Sequence, residues 1–222
     1  MTQKRNYDRE MEEEIRRLDG RRPTLLLHSC CGPCSSAVLE RLVDHFQVTL
    51  LYYNPNIEPE AEYNHRLAEQ KRLLSLLPCD VPLLPCPYDH EAFAAFAPAM
   101  SEEPEGGKRC LACFALRLQY TAQKAREHGF EYFTTTLSVS PHKNAEHVNR
   151  AGALAGEAAG VRYLFADFKK RAGYLRSLEL SREFSLYRQN YCGCLYSRQG
   201  SPSAASAPAG ESGSDGVQNP PR

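Results

Sequence analysis

The chain has 222 residues, 42% apolar and 24% charged, a profile that fits one globular core and at most two domains. No apolar run approaches the roughly 20 residues of a membrane span, and the start does not resemble a signal peptide, so a cytoplasmic protein without a membrane partner is expected. The 27 basic and 27 acidic side chains cancel, but unevenly. Asn54–Glu105 holds ten acidic and three basic residues, and Val161–Arg198 three acidic and eight basic. The basic stretch fits either a polyanionic partner such as nucleic acid or a solvated helix face.

Met1–Arg22 is charged with little apolar periodicity and is expected to be a solvated helix or arm outside the core. From Pro23 the chain alternates. Thr24–His28 reads as a strand, Pro33–Phe46 as a helix and Val48–Tyr53 as a strand; NPNIEP then turns into a helix over Pro59–Leu77. Val81–Leu84 reads as a short strand, Asp89–Ala97 as a helix and PEGGKR as a loop. Leu111–His128 is the clearest helix, with Phe114, Leu118, Ala122 and Ala125 on one face and Gly129 past its end. Tyr132–Leu137 and Arg162–Phe165 read as strands, Asn144–Ala159 and Gly173–Arg188 as helices. This alternation predicts an α/β domain over residues 23–198, a mostly parallel, Rossmann-like sheet with helices on both faces. Gln199–Arg222, rich in Gly, Ser, Pro and Ala, is expected to be a disordered tail.

Nine cysteines in such a chain point to metal or redox chemistry rather than structural disulfides. Cys30, Cys31 and Cys34 lie in LLHSCCGPCSS, at the first strand-to-helix turn. Cys110 and Cys113 form a C-x-x-C at the start of the clearest helix. There a three-residue step returns both sulfurs to one face, and the helix N-terminus favours thiolates. Soft thiolates in this number suit zinc or an iron–sulfur cluster, and a C-C-x-x-C is an unusual zinc knuckle. A cluster at the active face of the α/β domain is therefore favoured over cysteines packed as small hydrophobes.

Cys192 and Cys194 in YCGC could close only a tight bridge that Gly193 permits. Such a bridge stabilises little and oxidises reversibly, as an electron relay would; the alternative is two further metal ligands. Cys79 and Cys86 read as packing residues. His28, ending a buried strand, reads as a core histidine rather than a ligand.

The blocks LLHSCCGPCSS, YYNPNIEPEAEYNHR, GGKRCLACFALRL, TTTLSVSPHKN, FADFKKRAGY and YRQNYCGCLYS resemble, in this order, the QueH-type epoxyqueuosine reductases, first known as a domain of unknown function. The resemblance covers about Leu25–Ser197. It implies two-electron deoxygenation of epoxyqueuosine to queuosine at the wobble position of a tRNA with a GUN-type anticodon. It also implies a [4Fe–4S] cluster with a second iron beside it, an electron donor, and a fold related to the nucleotide-binding α/β domains of tRNA-thiolating enzymes. Carried over by residue, the cluster ligands would be Cys30, Cys31, Cys110 and Cys113, and the redox-active disulfide Cys192–Cys194. Cys34 would hold the second iron, and an acidic partner is assigned to Asp89.

A splayed anticodon base calls for aromatic faces and its phosphates for cations. Tyr53 and Asn54, Lys108 and Arg109, His142 and Lys143, and Asp167, Lys169 and Lys170 sit where successive strands end or the cluster helix begins. They are the expected substrate-binding set, and each could instead be a solvated loop residue. Two rival readings remain. One is a zinc-stabilised RNA-binding module. The other is a cluster-dependent tRNA sulfur transferase, which the absence of an S-G-G-x-D-S phosphate loop disfavours.

Overall fold

A computed structural model describes residues 5–199. The expected tail, apart from Gln199, lies outside the described residues. Five strands form one sheet: β1 (Thr24–His28), β2 (Gln47–Leu51), β3 (Leu83–Leu84), β4 (Tyr132–Thr135) and β5 (Arg162–Tyr163). Their order is β3-β2-β1-β4-β5, and every neighbouring pair is parallel. The helices are α1 (Tyr7–Arg17), α2 (Gly32–Leu42), α3 (Glu60–Leu76), α4 (His90–Ala94), α5 (Lys108–Glu127), α6 (Ala145–Ala159), α7 (Gly173–Glu183) and α8 (Leu195–Gln199).

The near-continuous apolar run of β1 is what a central parallel strand needs, because both its faces are covered. Successive side chains point to opposite faces. Leu25 and Leu27 join one core with Val38, Leu39 and Leu42 of α2 and Tyr63 of α3. Leu26, between them, joins the other core with Phe114, Leu118 and Ala122 of α5 and Val148 of α6. The sheet thus carries helices on both faces, as expected for an α/β fold.

The chain builds outward from β1 to β2 and β3, then returns to lay β4 and β5 on the other flank. The crevice beyond the carboxyl ends of β1 and β4 is therefore the switch point at which open α/β sheets bind ligands. Hydrogen bonds span it: the Cys30 amide donates to Thr136 Oγ1 at 3.0 Å, and Thr136 Oγ1 donates to Cys30 Sγ at 3.2 Å.

Several elements differ from the sequence reading. Residues 1–22 are not wholly an outer arm. Met11 of α1 is 1% exposed and belongs with Leu18 to the first core, and Asp8 pairs with Arg41 at 2.8 Å and Arg171 at 3.0 Å. Tyr7 and Met11 are buried and Ile15 packs on the same core as Leu18, a narrow stripe at helical spacing within an otherwise charged segment. Helix α5 begins at Lys108 rather than Leu111, taking Lys108, Arg109 and Cys110 into its first turn. The strand expected over Tyr132–Leu137 ends at Thr135 and passes into a 3-10 turn over Thr136–Val139. Helix α7 stops at Glu183 because Ser185 takes φ 49° and Leu186 N–H closes back on Ser181 O at 2.8 Å.

Candidate active site

The first cysteine turn is held by its serines. Ser29 and Ser35 hydroxyls lie 2.6 Å apart, and both meet Gln70 Oε1 of α3, at 2.7 and 3.0 Å. Cys31 is the N-cap of α2 in extended conformation, with Cys30 just before it and Cys34 in the first turn. Their three sulfurs lie within 4.8 Å of one another, close enough to hold a metal. Hydrogen bonds from Cys31 and Cys34 hold the Cys30 thiol well below its ordinary range, assisted by the Lys143 and Arg117 charges. The same interaction with Cys30 pushes the Cys31 thiol up to about 12 and raises Cys34.

The second pair lies on α5. The Gly106 amide donates to Cys110 Sγ at 3.2 Å. Cys113, one turn on, is buried, and burial pushes its thiol up to about 12 against the pull of Arg117. Arg117 follows on the same face, seven residues from Cys110 and four from Cys113. It is 2% exposed, donates to Asn54 Oδ1, and lies with Nε 3.3 Å from the buried His28 ring. Its electrostatic neighbours are Cys113, Cys192 and Cys30. Sequence reasoning missed it. The i, i+3, i+7 spacing of Cys110, Cys113 and Arg117 was the signal available.

The third group is docked by α3. Gly193 takes φ +122°, and a Cβ there would stand 2.8 Å from Ile57 Cγ1, so only glycine fits this turn. Glu58 N–H donates to Gly193 O at 3.0 Å, Leu195 N–H to Glu58 Oε1 at 2.7 Å, and Arg66 Nη1 to Cys192 O at 3.2 Å. Arg66 is itself 1% exposed, paired with Glu62 at 2.7 Å and set over the Tyr191 ring. All nine cysteines are free thiols, and Cys194 packs with Cys113, Phe93 and Ala97.

These groups meet around two adjoining hollows. A cleft of about 480 Å³ is walled by Cys30, Cys31, Cys34, Cys192, Arg117, Lys143 and the Tyr174 and Tyr191 rings. A smaller hollow of about 30 Å³ is walled by Cys110, Cys113, Cys192 and Cys194. Cys192, His142 and Lys143 line both, so seven cysteines distant in sequence share one site. Burial disfavours the Lys143 ammonium, but the Cys192, Cys30 and Cys34 thiols outweigh it and raise its pKa.

The remaining expected residues fall elsewhere or act differently. Tyr53 is buried, stacks on Tyr120 at 3.7 Å and donates to Asp89 Oδ2 at 3.0 Å. Asp89, the acidic partner expected beside Cys34, accepts this bond and is not among the residues lining either hollow. Asn54 bridges Ser29 O, at 2.9 Å, to Arg117 and supports the site from within. Arg109 is buried and gives three hydrogen bonds to the carbonyls of Met100, Ser101 and Glu103. It clamps that loop and also lines the smaller hollow. Lys108 is largely exposed beside Glu103. Lys169 pairs with Asp167 at 3.2 Å and donates to Lys143 O at 3.1 Å, and neither these nor the exposed Lys170 lines the hollows. At the start of α6 the Asn144 side chain accepts from the Glu146 and His147 amides.

A family model described as epoxyqueuosine reductase QueH matches residues 25–200, a span that includes every cysteine of the site. The chain belongs to the QueH family. Proteins named epoxyqueuosine reductase QueH from Staphylococcus epidermidis and Streptococcus pyogenes are each 40% identical to it, over 87% of this chain and 85% and 78% of theirs. The Thermotoga maritima protein of that name is 35% identical over 78% of this chain and 90% of its own. No helix among the described residues is long and apolar enough to cross a membrane.

Proposed function

We propose that this QueH-family chain is an epoxyqueuosine reductase, removing the epoxide oxygen at the wobble position of a GUN-anticodon tRNA to leave the cyclopentene of queuosine. The observation that carries the reading is the convergence of seven cysteines from three segments on one cleft at the switch point of the sheet. The reaction takes two electrons and two protons and releases water, so it needs a redox centre beside a site that can donate protons.

The donor set fits an iron–sulfur centre: thiols only, with a buried guanidinium behind them. Soft sulfur donors of this number favour iron–sulfur clusters or zinc over hard cations. Cys30, Cys31, Cys110 and Cys113 would hold a [4Fe–4S] cluster, and Cys34 a second iron. When bound, the centre supplies electrons to the epoxide carbon–oxygen bond.

The chain's own side chains supply the rest. Lys143 and His142, on the wall shared by both hollows, offer N–H donors to the departing oxygen and to nearby phosphate. Tyr174 and Tyr191 present rings to a base turned out of its stack. Cys192 and Cys194 can give up two electrons and two protons in forming a disulfide, which an external donor then reduces.

The test is nucleoside analysis of tRNA from cells lacking the protein, beside iron and acid-labile sulfide in protein prepared without air. Accumulated epoxyqueuosine and bound iron with sulfide are expected. Normal queuosine, with no second enzyme of this activity in the cell, would overturn the reading. Zinc without sulfide would favour an RNA-binding module, and ATP-dependent base thiolation a sulfur transferase.

A further inference from the structure

Arg117 is placed where a cation is costly. Its side chain is 2% exposed, and among the described residues no carboxylate lies within ion-pair distance of it. By contrast, the buried Arg66 has Glu62 at 2.7 Å and the part-buried Arg41 has Asp8 at 2.8 Å. The polar groups that do meet Arg117 are neutral: Asn54 Oδ1 and the His28 ring. Its neighbours able to carry negative charge are the sulfurs of Cys113, Cys192 and Cys30, and it lines the cleft together with Cys30 and Cys192. A buried ion without a partner is strongly destabilising, whereas a matched one is tolerated.

We propose that Arg117 is the built-in countercharge of the cysteine centre, a positioning residue whose buried guanidinium helps retain whatever metal group the surrounding cysteines bind. The proposal rests on the reading that these thiols hold a metal centre, but not on which one. Four thiolates around either zinc or a [4Fe–4S]²⁺ cluster leave a net charge of −2, and a fixed cation behind them offsets part of it. Lys143, the other cation facing Cys30, Cys34 and Cys192, lines the cleft and is free to serve substrate. Arg117 also borders the cleft, but its guanidinium is engaged by Asn54 and His28.

The readout is the rise in melting temperature on loading metal-free, reduced protein with iron and sulfide, and in a parallel arm with Zn²⁺, together with the rate of metal loss to a chelator. Comparing each variant with and without metal cancels its packing defects. In Arg117→Met the metal-induced rise should largely vanish and loss to chelator should quicken at least tenfold. Arg117→Lys, which keeps the charge, should stay within about threefold of wild type. An Arg117→Met variant that folds only poorly while Arg117→Lys loads normally also supports the proposal.

Equal metal retention by wild type and Arg117→Met would overturn it. So would an Arg117→Lys variant as defective as Arg117→Met, or one that fails to fold, since the guanidinium's shape would then be what matters. Wild-type protein that takes zinc but no iron and sulfide defeats the reductase reading and leaves the zinc arm to decide on Arg117.

Discussion

Arg66 Nη1 donates to the carbonyl of Cys192 at 3.2 Å, so the helix that follows the NPNIEP turn carries the C-terminal cysteine pair into a site begun by β1. The adjoining Gly193 leaves no room for a Cβ against Ile57 or, at 3.1 Å, Arg66 Nη1. Gly193→Ala should release this turn through backbone strain of about 1–3 kcal/mol. Arg66→Ala should do the same and also cost about 2–3 kcal/mol of stability, because Glu62 and the carbonyl lose their partner. Hydrogen exchange at residues 191–195 and the alkylation rate of Cys192 and Cys194 would register the release. Unchanged exchange in both variants would show that the turn is held by something else.

Glu69 ties the same region from below. It accepts from Arg72 at 2.9 Å and from the Tyr187 amide at 2.9 Å, while Arg72 donates to Phe184 O and Ser185 O. The Arg72 guanidinium, foremost, holds the Glu69 carboxyl down at about 2. Because the folded pKa is depressed, this stability is present above the ordinary carboxylate pKa and is lost as pH falls from about 4.5 to 2. Solvent at Arg72 limits it to about 1 kcal/mol. Denaturant midpoints of wild type and Glu69→Gln should therefore differ at pH 7 and converge toward pH 2. A difference constant across that range would remove Glu69 from the acid response.

Cys110→Ala and Cys113→Ala should each lose iron, sulfide and visible absorption, whereas Cys79→Ala should keep all three. The α5 pair shares one helix face and lines one hollow with Cys192 and Cys194. Full iron and sulfide in both α5 variants would make the pair a packing feature.

For the YCGC pair the decisive measurement is iron content beside turnover in the Cys192→Ser, Cys194→Ser double variant. A relay predicts retained iron, surviving single turnover with prereduced protein, and at least a hundredfold loss of multiple turnover. Iron lost in step with activity would make them ligands, a result that the position of Cys192 on both hollows makes worth seeking.

At the N-terminus, Met11→Ala should cost about 2–4 kcal/mol in denaturant unfolding, as for other core truncations. A loss under about 0.5 kcal/mol would mean that α1 is a surface addition after all.

Much of this protein is written locally. The apolar run TLLLH can only be a strand covered on both faces, and the C-x-x-C beginning α5 brings two sulfurs to one face by helical geometry alone. The alternation of such segments is sufficient for a parallel α/β sheet, and the order of the cysteine blocks carries the family. Other features depend on residues far apart in sequence. No local pattern distinguishes Arg109, spent on three loop carbonyls, from Arg117, buried among sulfurs, because which donors an arginine meets is settled by packing across the sheet. That Tyr53 donates to Asp89 is likewise invisible in either local segment. Met11 and Leu18 look like isolated apolar residues in a charged run, and only the concave edge beside α2 gives them a core to enter. The sequence by itself determined the elements, their period and the chemistry available. The tertiary structure decided which charges are neutralised and which face the cleft, since long-range pairing depends on what the strand order brings together.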